Sequence, residues 1–408
     1  MPCPVFLVGN EGRNLETSLA AHPTDPATLL VTWTERNATR FSAHVWAAVT
    51  HDGGASWVKT ALHDPALVSP TGAELLSYDS TAAFGPDGTA YVLYGGETDK
   101  VATIPGPACA CTTDRITLAA SKTGETWDYH PLSVTGPQTL YYTFGTDAMT
   151  LAVAPDSGRI YVVTNLLVGP QPIGPWFWAS DDRGQTWTQK PLDATPDQSA
   201  FHLFPRAGAG PNGQVDVALD EVDPTGRMGR TYWMLTSHDG GGTFAKAQLP
   251  AGATYGRGTP LVTSSGHSVA VFTADAVGVA ESTDGLAWTF HALAKANGDS
   301  VSWVMDAASA SGVVAVMTEL LTCGRPASMS APDGALATSW EMRFAIAKAA
   351  GPTGRNITGL SDKPPQPNSC GYSNEYGGLA YAADGALWGA WSDLRGSENP
   401  RIAVARLA

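Results

Sequence analysis

The chain has 408 residues and a formal net charge of −14; only 15% of its residues are charged, while glycine and proline number 44 and 29. Turn formers in such excess over Glu, Lys and Arg exclude long helices and coiled coils, and 43% hydrophobic residues with 13 tryptophans exclude disorder. The acidic balance disfavours nucleic acid or an anionic membrane as partner, and no apolar run reaches the ~18–20 residues of a spanning helix, which leaves a turn-rich, all-β protein.

Near the N-terminus, Val5-Phe6-Leu7-Val8 is too short and too poor in basic residues for a secretory signal, and it reads as a strand. Strands are then predicted over residues 17–22, 29–34, 44–50 and 56–61, with a turn at 22–28 between the first two. A turn rich in Asp, Asn, Ser or Gly, followed by alternating β-branched and aromatic residues, returns at 84–94, 153–163, 209–217, 264–272, 309–316 and 381–391. With the looser first copy this makes seven hairpins about 60 residues apart, so residues 1–408 form one repetitive domain. The last unit ends on the apolar run 401–407 as its third strand, and Val5–Val8 supplies the missing fourth. The expected fold is an all-β, seven-bladed β-propeller of four-stranded antiparallel blades, its ring closed by the N-terminal strand. Six blades are the alternative, if the sixth unit is irregular.

A second motif follows the hairpins. Ser180, Asp182, Gly184, Thr186 and Trp187 fit S-x-D-x-G-x-T-W/F, as do Ser237, Asp239, Gly241, Thr243 and Phe244. Thr50, Asp52, Gly54, Ser56 and Trp57 fit with Thr and Ser exchanged, and degenerate copies end on Trp127 and Trp288. Asp and Gly at this spacing close a hairpin through side-chain-to-backbone hydrogen bonds, and the aromatic residue packs between sheets. The motif resembles the Asp-box, or BNR repeat, of the sialidase-like β-propeller superfamily. It is structural and says nothing of activity.

In four-stranded units of this kind, the second-to-third connections lie on the face opposite the Asp-box turns. Long connections at 95–115, 165–175 and 319–340 mark that face as the binding face. Counting back eight residues from each first turn lands on Glu16, Asp79, Ala148, Phe204, Arg257, Trp303 and Tyr376. Two carboxylates, an Arg, a Tyr and two further aromatics around a channel mouth have the composition of a sugar-binding funnel. Asp147, His202, Arg206, Asp306 and Glu375 lie within a few residues of it. The competing reading is that such residues merely cap strands. That reading is preferred for Glu35, Glu97, Asn165, Asp220, Asp275, Glu319 and Asp393, one of which closes the second strand of every unit. Glu35–Arg36 and Asp393–Arg395 are expected as local ion pairs.

The resemblance implies more. Sialidases use a tyrosine nucleophile activated by a glutamate, an aspartate acid/base and three arginines that grip the substrate carboxylate. Tyr376-Gly-Gly-Leu379 with Asp384-Gly385 is similar to the segment that carries this nucleophile, and Arg257 falls where a triad arginine could lie. The first unit departs from the family, with Leu15-Glu16-Thr17-Ser18 where sialidases have Arg-Ile-Pro. A carboxylate there would repel the substrate carboxylate, so the resemblance implies a glycan other than a standard sialoside. Three readings stand. A glycoside hydrolase would use Asp79 or Glu16 as acid and Tyr376 or a second carboxylate as nucleophile or base. A polysaccharide lyase acting on uronic-acid glycans would use Tyr376, His202 and Arg257 as base, acid and charge neutraliser. A non-catalytic glycan-binding or protein-interaction propeller would keep only the aromatics. Arg257, Arg206, His202, Asp147, Phe204, Trp303 and Glu375 are the expected substrate-binding set.

The expected partner is an oligo- or polysaccharide, bound by a monomer. No cofactor or catalytic metal is called for, although a structural calcium ion is compatible, and Cys109 with Cys111 is a weak zinc pair. Cys323 and Cys370 are expected to form a disulfide on the binding face, which would favour export. The expected location is therefore extracytoplasmic or secreted, with the export signal missing from this sequence; the cytoplasm is the alternative.

Overall fold

Alternating β-branched and aromatic residues between turns have the period of two that a strand requires, and the computed structural model is all-β. It describes residues 5–10, 13–36, 43–65, 77–103, 110–132, 141–142, 149–168, 174–192, 201–222, 231–249, 259–262, 266–273, 277–292, 303–310, 313–321, 340–348, 357–359, 377–393 and 401–407. Twenty-nine strands lie among them, and no helix among them is long and apolar enough to cross a membrane.

After β1 (Val5–Leu7), a first sheet runs β2 (Arg13–Ala21), β3 (Leu29–Arg36), β4 (Ala43–Thr50), β5 (Val58–Ala61), close to the predicted bounds. A second runs β6 (Ser77–Phe84), β7 (Ala90–Thr103), β8 (Ala110–Ser121), β9 (Asp128–Pro131). In the third, β10 (Tyr141–Tyr142) and β11 (Thr150–Val153) share one side of β12 (Ile160–Val168), and β13 (Gly174–Ser180) and β14 (Thr188–Pro191) follow. The fourth runs β15 (Phe201–Ala209), β16 (Val215–Val222), β17 (Thr231–Ser237), β18 (Ala245–Gln248). The fifth runs β19 (Thr259–Val262), β20 (Ser268–Thr273), β21 (Val277–Ser282), β22 (Thr289–Ala292). The sixth runs β23 (Trp303–Ala310), β24 (Val313–Leu321), β25 (Trp340–Lys348), β26 (Ile357–Gly359). The last runs β27 (Gly378–Tyr381), β28 (Leu387–Asp393), β29 (Arg401–Arg406) and then β1, with Val5 opposite Ala405 and Leu7 opposite Ala403. The N-terminal segment thus takes the fourth place of the last sheet.

The first strands of the sheets touch in a cycle: β2 with β6, β6 with β11, β11 with β15, β15 with β19, β19 with β23, β23 with β27, and β27 with β2. The cores lie between sheets. Leu29, Val31 and Trp33 pack with Trp388, Ile402 and Val404 between the first and last sheets. Val45 and Val49 pack with Val92 and Tyr94 between the first and second. Each S-x-D-x-G hairpin joins the third and fourth strands of its sheet, and its aromatic residue enters one of these cores. Trp57 joins the first-to-last core, Trp127 the next, and Trp187, Phe244 and Trp288 follow in turn.

The hairpins close as the motif predicts. Asp182 Oδ1 accepts from the Thr186 amide at 2.8 Å and Oδ2 from its hydroxyl at 2.6 Å, while the Gly184 amide donates to Ser180 Oγ at 2.8 Å. Asp52 and Asp239 make the same bonds to Ser56 and Thr243. These donors hold Asp52 and Asp182 down to about 2, and the threonine or serine hydroxyl has the largest effect.

Two long connections are corrected. Residues 95–115 belong in large part to a hairpin, in which Val101 pairs with Thr112 and Thr103 with Ala110. Residues 165–175 likewise end two strands, with Asn165 opposite Pro175 and Leu166 opposite Gly174. Backbone ladders carry these extensions past the sheet, and the sequence there lacks the strict alternation that would have marked them. Most of 319–340 lies outside the described residues, as do Cys3, Cys109, Cys323 and Cys370 and hence the expected disulfide.

Candidate functional site

Four of the sheets' first strands share an irregularity at one height. On β2 the pairing with β3 slips between Leu15 and Ser18; on β6 it slips between Tyr78 and Thr81, on β15 between Leu203 and Arg206, and on β23 between Val304 and Asp306. A β-bulge leaves residues unpaired and turns side chains away from the sheet's regular alternation. The residues so released are Glu16, Asp79, Phe204 and Met305, each five before the last residue its strand pairs. The sequence register thus holds at Glu16, Asp79 and Phe204, while Tyr376 and Arg257 lie outside the described residues. It fails for Trp303. β23 ends at Ala310 with β24 beginning at Val313, a shorter turn than in the other units, and counting from the turn overshoots by two residues to Trp303 in place of Met305.

Glu16 and Asp79 are buried and have φ values of 58° and 51°. Among the described non-glycine residues only Arg183 and Asn212, both in turns, share a positive φ. A left-handed conformation costs such residues ~1–2 kcal/mol, so surrounding contacts must hold it. Here the contact is mutual: the Asp79 amide donates to Glu16 Oε2 at 3.2 Å, and Arg36 Nη2 donates to Glu16 Oε1 at 2.6 Å. Arg36 therefore pairs with Glu16 instead of the expected Glu35, because the bulge brings Glu16 across to the end of β3. Glu35 instead accepts from Asn10 Nδ2 at 3.0 Å.

Other side chains link neighbouring inner strands. The Ala82 amide donates to Ser18 Oγ at 3.1 Å, and the Leu379 amide to Asp306 Oδ2 at 2.8 Å. Burial raises the Asp306 carboxyl to about 6 against the opposing field of Arg206, a member of the predicted binding set. Sequence reasoning named Asp306 only as a neighbour of the ring and missed Arg36; no local signal shows which residues a bulge will bring together. His202, Phe204 and Trp303 lie on β15 and β23, while Asp147, Arg257, Glu375 and Tyr376 lie outside the described residues. Among the described residues, no group of three His, Cys, Asp or Glu is placed to hold a metal ion.

The fold is similar to that of Penicillium chrysogenum α-L-arabinanase complexed with arabinobiose, at 13% identity and a TM-score of 0.51 over 100% of this chain and 98% of that one. A protein of unknown function from Dyadobacter fermentans DSM 18053 is similar at 16% identity and a TM-score of 0.52, over 84% of this chain and 97% of the other. Trypanosoma rangeli sialidase in complex with the inhibitor DANA is similar at 11% identity and a TM-score of 0.52 over 97% of this chain, which spans only 55% of that protein. No protein-family model matches the sequence, and no curated protein does. At these identities the likeness is one of fold, and it agrees with the fold to which the hairpin motif pointed.

Proposed function

We propose that the protein is a glycoside hydrolase acting at the mouth of a channel ringed by its inner strands, on a glycan other than a standard sialoside. The reading takes the sheets as seven blades of one closed ring, supported by the cycle of contacts among first strands and by β1 on β29. The S-x-D-x-G hairpins are then Asp-boxes on the far face. The observation that carries the reading is the Glu16 carboxylate seated on the backbone of Asp79, both on left-handed bulges at the same end of adjacent inner strands. Bulges and strained backbone concentrate at active sites, and proteins sharing the fold include an α-L-arabinanase and a sialidase. Glu16 and Asp79 are the carboxylates for acid or base work, with Tyr376 as nucleophile or base and Arg257, Arg206, His202, Asp147, Phe204 and Glu375 around the sugar. The enzyme works as a monomer outside the cytoplasm, without a cofactor.

The test is a panel of aryl glycosides and uronic polysaccharides with wild type, Asp79→Asn and Tyr376→Phe. Loss of ~100-fold or more in either variant on a substrate that the wild type cleaves is expected. Unchanged activity in both sinks the site. Unsaturated uronate products would make the protein a lyase, and glycan binding without turnover a binding module.

A further inference from the structure

A hydrolase of this kind divides its work between a carboxyl that carries a proton and one that does not. Glu16, with a donor on each oxygen, is poorly suited to the first role. The sixth sheet offers another carboxyl. Asp306 directly follows the bulge residue Met305 on β23, the place that Thr17 and Ser80 hold on β2 and β6. Its Oδ2 accepts from the Leu379 amide of β27. That link does not by itself call for a carboxyl, because Ser18 makes the comparable link to Ala82 with a hydroxyl. A buried carboxylate is costly where a hydroxyl would serve.

The surroundings are suited to a neutral acid. Among the described residues, the charged group whose field reaches Asp306 is Arg206 on β15. β20, β24 and β27 pack near β23, and their described side chains there, Ser268–Val271, Val314–Met317 and Gly378–Tyr381, are uncharged; Tyr381 alone of these titrates, and burial raises it. Asp306 keeps partial solvent contact as a residue while its carboxyl is desolvated enough to titrate at about 6.

We propose that Asp306, anchored on the Leu379 amide, is the proton donor of the site. The proposal rests on the hydrolase reading and names the acid within it. The Asp306 proton passes to the bridging glycosidic oxygen as the anomeric C–O bond breaks and its electron pair moves to that oxygen. Water forms the new bond to the anomeric carbon, and the proton it sheds goes to a site carboxylate.

Asp306→Asn keeps an acceptor for the Leu379 amide and removes the proton, so two measurements test the assignment. In thermal melts across about pH 4.5–7.5, a folded pKa above the unfolded value means stability present at low pH and lost as pH rises through about 6. The gap between wild type and Asp306→Asn should therefore change across that range, and a constant gap overturns the proposal. In kcat/KM on a phenyl and a 4-nitrophenyl glycoside, the variant should lose the alkaline limb and slow ~100-fold or more on the poorer leaving group. A variant that keeps both limb and leaving-group ratio overturns Asp306 while the hydrolase stands; a wild type that cleaves no glycoside overturns both. Arg206→Gln, independent of how Asp306→Asn folds, should move the alkaline limb to higher pH, and an unmoved limb also counts against the assignment.

Discussion

Gly184 lies in the hairpin between β13 and β14 with φ +86°, and a Cβ added there would stand 2.6 Å from Leu118 Cδ2 of the preceding sheet. Gly385, in the turn between β27 and β28, has φ +82° and nothing within 4 Å of the same point. Alanine at Gly385 therefore meets only the left-handed backbone penalty, ~1–2 kcal/mol. Alanine at Gly184 meets that penalty and an overpacked contact as well, because Leu118 is wholly buried in the core between the second and third sheets and has no room to withdraw. Overpacking adds ~1–3 kcal/mol, so Gly184→Ala should cost ~2–5 kcal/mol in all. Equilibrium urea unfolding followed by tryptophan fluorescence gives both values. Equal losses in the two variants would refute the reasoning, which assigns the hairpin glycine to the neighbouring sheet as much as to its own turn. The contact recurs: a Cβ at Gly124, Gly241 or Gly285 would meet Val49, Phe177 or Thr236, each on the third strand of the sheet before.

Two further outcomes follow from charge. Asp182 is held at about 2 by Thr186 and Ser180, below its unfolded value, so its contribution is present above about pH 4 and lost as pH falls toward 2. Melts should show wild type above Asp182→Asn at pH near 6 and the two converging in acid; a gap independent of pH would contradict the assignment. Arg36→Met leaves the buried Glu16 carboxylate without its counter-charge, but Arg36 is 45% exposed, so screening limits the loss to ~1 kcal/mol. Adding Glu16→Gln should recover most of that loss in a double-mutant cycle, and no recovery would mean that the pair does not act as a unit.

What could be read in the sequence was local or repetitive. The hairpin motif makes all its hydrogen bonds within a few residues, from Ser180 to Thr186 for example, so spacing alone reveals it. The fourth strand of the last sheet could be inferred because a repeat one strand short must borrow an apolar run, and Val5–Val8 was to hand. The inner-strand positions were found by counting, and the count meets the bulges at Glu16, Asp79 and Phe204, where the turn keeps its length. The count failed at Trp303, where Ala310 and Val313 are separated by a shorter turn. The Arg36–Glu16 pair was hidden for a different reason: a bulge changes which residues face each other without changing their composition. Arg36 was accordingly assigned to its chain neighbour Glu35.

That pair alters the argument about substrate charge. From sequence, Glu16 in place of the first sialidase arginine argued against an acidic sugar by direct repulsion. With Arg36 Nη2 at 2.6 Å, Glu16 presents an ion pair, and its charge is largely cancelled at the distance of a bound sugar. A guanidinium is thus present close to where the resemblance would want one, but it is already engaged. To hold a substrate carboxylate, Arg36 would have to give up Glu16, leaving a buried carboxylate without its counter-charge. On the proposed reading, discrimination against a sialoside would arise from competition for one arginine, and not from a negative surface. Glu16→Gln should therefore relax it: the variant frees Arg36 while keeping an acceptor for the Asp79 amide.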